Sequence, residues 1–143
     1  VYNHFPTDVE LIEACSIHWI TLNPLPDSGA WAAIEDPKQR LAAALGELYE
    51  WYGKTEDMMG KVIRDAPIVP ALGEVMSESW FAAVDQMVEA LLAGRGVRGT
   101  RRQRLRATLR LAVDFNSWKT LKAEGLDDPA AAELAAGFVA ASE

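Results

Sequence analysis

Asp36-Pro37-Lys38-Gln39-Arg40-Leu41-Ala42-Ala43-Ala44-Leu45-Gly46-Glu47-Leu48-Tyr49-Glu50-Trp51-Tyr52-Gly53 reads as a helix from its first residue to its last. Asp36 offers a carboxylate to the unsatisfied amides of a first turn. Pro37 has the fixed φ and the missing N–H that suit the first helical position. Leu41, Leu45, Leu48 and Tyr52 recur three or four residues apart and share one face, and Gly53 is expected to close the segment.

The same punctuation extends in both directions. Upstream, Thr7-Asp8-Val9-Glu10 has the form of a capping box, in which the Thr7 hydroxyl accepts from the Glu10 amide while Glu10 reaches back. The helix it opens should run to about Leu22, where Asn23-Pro24-Leu25-Pro26 stops it. Downstream, a short helix starts at Thr55-Glu56-Asp57 and ends before Pro67. A long one is expected from about Pro70 to Ala93, with Leu72, Met76, Trp80, Val84, Met87 and Leu91 on one stripe. Gly94-Arg95-Gly96-Val97-Arg98-Gly99 mimics a phosphate-binding loop, but no strand precedes it, so it reads as a connection between helices. Thr100 should begin a further helix to about Ala123 with two apolar stripes, Leu105-Leu109-Ala112-Asn116 and Leu111-Phe115-Trp118. Asp128-Pro129 opens an alanine-rich last helix. No alternating run suggests a strand. The expected class is all-α, about six helices in one domain over residues 7–143.

The composition narrows the function. The chain has 143 residues, half of them hydrophobic, and a net charge of −7. Residues 1–94 hold 5 basic and 15 acidic side chains, net −10, and residues 95–143 hold 9 basic and 6 acidic, net +3. An acidic body disfavours broad binding to nucleic acid. The cluster Arg95, Arg98, Arg101, Arg102, Arg104, Arg106 and Arg110 reads first as an ion-pairing helix face. A single cysteine excludes an internal disulfide framework. No apolar run reaches the ~20 residues of a membrane span, and no leader is evident, which gives a cytoplasmic expectation without membrane partners.

The first dozen residues, Val1-Tyr2-Asn3-His4-Phe5-Pro6-Thr7-Asp8-Val9-Glu10-Leu11-Ile12, resemble the end of the DNA-binding domain of the tetracycline-repressor (TetR) family. In that family an aliphatic residue, Tyr, any residue, His or Tyr, and Phe close the recognition helix. A Ser, Thr or Asn cap then opens the next helix. Val1, Tyr2, His4, Phe5, Thr7 and Leu11 match in order, while Asp8 stands where the family often has Lys. The resemblance implies that residues 1–6 end a recognition helix whose remainder lies ahead of this sequence. Tyr2 and His4 would then donate to DNA phosphates. Operator binding would need the preceding segment, and residues 7–143 would form the regulatory domain.

The resemblance also implies a ligand-responsive regulator, expected to be a repressor, rather than an enzyme. A pocket for an apolar or aromatic effector would draw on His18, Trp19, Tyr49, Tyr52, Met59, Trp80, Phe81, Phe115 and Trp118. The family pairs its last two helices across a two-fold axis. Here that would place Leu105, Leu109, Ala112, Val113, Asn116, Ala131, Leu134, Ala135 and Phe138 in a homodimer interface. Cys15 and His18 share a helix face and form the alternative, a nucleophile with its base. They lack an evident orienting group and the further ligands of a zinc site, so the plain reading is a buried thiol beside a core histidine. No cofactor or metal is expected. A helical dimerisation module without a ligand is the remaining alternative.

Overall fold

The computed structural model describes residues 7–143, and among them there are helices and no strands. The elements are α1 (Asp8–Leu22), α2 (Ser28–Ala32), α3 (Pro37–Asp65), α4 (Pro70–Glu78), α5 (Trp80–Leu92), α6 (Gly99–Val113), α7 (Phe115–Ala123) and α8 (Asp128–Ala141). The all-α expectation holds. The described chain divides into two compact units. One contains residues up to Leu25 together with Thr55–Ala83, and the other contains Pro26–Lys54 with Val84–Glu143.

The first unit holds α1, the C-terminal part of α3, α4 and the start of α5. Thr7 caps α1 as expected, its hydroxyl accepting from the Glu10 amide at 3.1 Å. α1 packs on α4 yet buries none of its residues fully, and Leu11, Ile17 and Leu22 stay exposed. Met59, Ala66, Val75, Met76 and Trp80 are the buried hydrophobic residues of this unit. Gly73 lets α4 approach the end of α3 closely, since a Cβ there would lie 2.7 Å from the Ala66 carbonyl oxygen.

The second unit is built on the N-terminal part of α3. Asp36 caps it through the Gln39 amide at 2.8 Å, and Leu41, Leu45, Leu48, Tyr49 and Tyr52 point into the core. Met87, Val88, Leu91, Leu105, Leu109, Phe115, Trp118, Ala131, Ala135 and Val139 meet that core from α5 to α8. Arg40 is buried among backbone carbonyls. Its guanidinium donates to Ile34 O at 2.9 Å, Glu35 O at 3.3 Å, Ala90 O at 3.3 Å and Ala93 O at 2.5 Å. The last two lie at the C-terminal end of α5, where the helix dipole favours a cation.

Three boundaries differ from the expectation, each for a local reason. Gly53 does not end α3, which runs on to Asp65. A helical glycine costs only about 1 kcal/mol, and burial of Tyr52, Thr55 and Met59 on either side outweighs it. A Cβ at Gly53 would meet the Asp128 carboxylate at 3.4 Å and Trp118 at 4.0 Å, ordinary contact distances, so the position does not require glycine for space. The helix expected from Pro70 to Ala93 breaks at Ser79, whose hydroxyl donates to the Val75 carbonyl at 2.7 Å, a bond that bends helices. The helix expected from Thr100 to Ala123 breaks at Asp114. Asp114 is extended (ψ 134°) and caps α7 through the Ser117 amide at 3.0 Å.

That last break explains the two apolar stripes. It shifts the helical phase, so Phe115 and Trp118 turn into the same core as Leu105 and Leu109. Leu111 and Asn116 are left exposed. The connection at 94–99 joins α5 to α6, as expected. Gly94, Gly96 and Gly99 take φ of +75°, +66° and +59°, a region that side chains with a Cβ rarely enter.

Candidate functional site

Tyr49 and Tyr52 lie on the buried face of α3, three residues apart, and both hydroxyls reach the break between α6 and α7. Tyr49 donates to the Ala112 carbonyl at 2.7 Å and Tyr52 to the Val113 carbonyl at 2.5 Å. These are the acceptors that lose their helical partners when the chain turns out at Asp114. Burial pushes both phenols above their ordinary pKa, and the nearby Asp114 carboxylate adds to the effect, so both stay neutral donors. The Tyr52 ring stands edge-on to Phe115 at 5.2 Å and tilted against Trp118 at 5.7 Å. Phe115 and Trp118 lie 5.6 Å apart. The Trp118 indole N–H donates to Asp128 at 3.1 Å, and Asp128 also takes Lys122 at 3.0 Å.

Four of the nine residues expected to line an effector pocket, Tyr49, Tyr52, Phe115 and Trp118, are therefore brought together, but as a packed cluster. Their rings fill one another's space and their polar atoms are spent on the protein, so they line a core. The residues of the first unit fare differently. Met59 and Trp80 are buried, Trp19 is half-buried, and Phe81 and His18 are exposed. The expected buried thiol is corrected as well, because Cys15 is exposed, like His18 one turn away. Among the described residues no group of three or more His, Cys, Asp or Glu is placed to hold a metal ion. Tyr2 and His4 lie outside the described residues.

The expected dimer residues split by face. Leu105, Leu109, Ala112, Val113, Ala131 and Ala135 are at most 2% exposed and belong to the core of their own unit, which corrects their placement in an interface. A helix contacting its own core and one contacting a partner show the same apolar periodicity, so the pattern alone does not separate the two. Leu134, at 44%, and Phe138, at 47%, are the members that face outward, and Asn116 is exposed beside the break.

The arginine cluster is an ion-pairing face in part. Arg106 and Arg102 both meet Glu89, and Arg110 meets Asp85 at 2.8 Å. The Arg106 hydrogen bond holds the Glu89 carboxyl below its ordinary pKa. Arg95 is different. Its side chain is only 6% exposed, and it donates to Leu91 O at 2.8 Å and to the Glu143 carboxylate.

Composition gave no signal for an open trough of about 1000 Å³ between α3 and α8. Ala42 and Gly46 form its α3 wall, and Ala132, Ala136, Gly137 and Ala140 its α8 wall. Lys38, Arg95 and Glu143 stand at one end, and Glu50, Asp128 and Glu133 at the other. A polar cavity of about 370 Å³ continues from the basic end, sharing Lys38, Arg95 and Glu143 and adding Arg101 and Asp36. The small residues that make this trough read in sequence only as good helix formers.

No family model, curated protein or solved structure matches the chain.

Proposed function

We propose that this chain is the effector-binding and dimerisation part of a TetR-type transcriptional regulator, acting as a repressor. The observation that carries the reading is the ordered match of Val1, Tyr2, His4, Phe5, Thr7 and Leu11, followed by a helix that Thr7 caps. The all-helical chain supports it. So does α8, Asp-Pro-Ala-Ala-Ala-Glu-Leu-Ala-Ala-Gly-Phe-Val-Ala-Ala, which is apolar nearly all round. Such helices are normally buried on every side. Here Ala131, Ala132, Ala135 and Val139 are covered, while Leu134 and Phe138 are presented to solvent. A second copy across a two-fold axis would cover them, with the same patch on both subunits. An effector that binds one conformation of the dimer better than another would then change the spacing of two DNA-binding heads and release the operator.

The test is selection from a random duplex pool by the full product of the gene. Enrichment of a palindromic site with half-sites one helical turn or a multiple apart is expected. Failure to enrich any site overturns the regulator reading. A second reading, a helical dimerisation module without an effector, is favoured by the packing of Tyr49, Tyr52, Phe115 and Trp118. It predicts a dimer but no enriched site.

A further inference from the structure

We propose that the trough between α3 and α8 binds a carboxylate-headed apolar amphiphile, a chain carboxylic acid, with its head at Lys38, Arg95 and Arg101 and its tail along the alanine and glycine floor. The assignment does not rest on the regulator reading.

Three features carry it. The first is the form of the trough. Ala42, Gly46, Ala132, Ala136, Gly137 and Ala140 form most of its apolar lining, with Leu41 and Pro129 adding to it, so the floor between the charged ends is apolar. The thirteen residues of α3 from Lys38 to Glu50 extend over about 18 Å, a length suited to a long acyl chain. The second is polarity. Lys38, Arg95 and Arg101 outnumber Asp36 and Glu143 at one end, while at the other Glu50 pairs with Lys54 at 3.1 Å and Asp128 with Lys122 at 3.0 Å, so that Glu133 supplies the acidic surplus there. An anionic head is therefore drawn to one end and repelled from the other, which sets one direction of binding.

The third is that a carboxylate already sits in the basic end. Glu143 meets the buried Arg95 guanidinium through its side chain, and Arg101 donates to the Glu143 main-chain oxygen at 3.0 Å. Arg95 is oriented for that contact by its bonds to Leu91 O and Pro37 O, so the guanidinium is placed before any ligand arrives. Lys38 lines both cavities, among the described residues without a hydrogen bond or ion pair of its own, and is available to a second carboxylate. Glu143 is on this account an internal competitor for the head site.

Isothermal titration calorimetry of the chain with tetradecanoate tests the assignment, with acetate and tetradecylammonium as probes of head and tail. Saturable binding of tetradecanoate, one per chain, is expected, with acetate and tetradecylammonium at least tenfold weaker. Lys38→Glu should weaken binding about tenfold or more, because a charge-assisted contact is replaced by repulsion. Glu143→Gln should strengthen it severalfold by weakening the competitor. Gly46→Leu should abolish it by filling the floor. A Cβ at Gly46 meets nothing within 4 Å, and circular dichroism checks that this variant folds.

Equal affinity for tetradecylammonium would overturn the proposal, and so would equal affinity for acetate, which would leave a simple anion site. Unchanged binding in Gly46→Leu would overturn it too. Absence of tetradecanoate binding, with Gly46→Leu converting a dimer to a monomer in sedimentation, would make the trough a contact between copies and overturn the proposal as well.

Discussion

Two tyrosine hydroxyls decide how the chain turns at Asp114. The carbonyls of Ala112 and Val113 would be orphaned in the core, and each is instead taken by a phenol. Tyr49→Phe and Tyr52→Phe each keep the ring but leave a buried acceptor unsatisfied, a loss of about 1–3 kcal/mol apiece, to be read from urea unfolding. The pH dependence follows from the same pair. Both phenols have a pKa raised above the ordinary 10.0 by burial and by Asp114. Below pH 10 they are neutral in the folded and unfolded chains alike, and their contribution is complete. Above pH 10 the unfolded chain releases protons that the folded chain retains, so stability falls by up to about 1.4 kcal/mol per pH unit for each tyrosine. The urea midpoint should therefore drop in alkali, and the double phenylalanine variant should show a shallower decline.

Glycines and caps set the limits of the elements, and the effect of a glycine replacement is opposite in sign at exposed Gly46 and half-buried Gly73. Gly46→Ala should stabilise by about 0.5–1 kcal/mol, since its Cβ meets nothing within 4 Å and helical glycine is costly. Gly73→Ala should destabilise instead, because its Cβ would press on the Ala66 carbonyl at 2.7 Å. Thermal unfolding of the two variants checks both signs. Asp114→Ala removes the cap of α7 and should cost about 1 kcal/mol. The helix starts at Thr7 and Asp36 were legible because a cap is a local contract between residues three apart. The run of α3 through Gly53 and the break at Asp114 were not, because both depend on partners far along the chain. Gly53 is tolerated by burial on either side of it, and Asp114 is supported by Tyr49 and Tyr52 more than sixty residues earlier.

Across the molecule, the candidate site was less legible than the fold. A tally of Trp, Tyr, Phe and Met cannot tell a cavity wall from a filled core, and Tyr52, Phe115 and Trp118 pack ring against ring. The trough leaves no mark in the sequence for the complementary reason, since it is defined by the side chains that Ala42, Gly46 and Gly137 lack. The outward residues of α8 give the prediction at this scale. Phe138→Glu changes a half-exposed side chain, so the folding midpoint should move little. It places a charge in the proposed two-fold contact, and sedimentation equilibrium is expected to show a dimer for the unsubstituted chain and a monomer for the variant. No helix among the described residues is long and apolar enough to cross a membrane.

The connection between α5 and α6 has a consequence for proteases. Its left-handed glycines hold the backbone out in a form no helix adopts, and two arginines lie among them. An enzyme that cuts after arginine must seat the side chain in its own pocket. Arg95 is committed to Leu91, Pro37 and Glu143 and has almost no surface to offer, whereas Arg98 is exposed. Brief digestion with trypsin should therefore nick this loop after Arg98 before Arg95. The order of the two cuts would report, without any ligand, how firmly Glu143 keeps hold of its arginine.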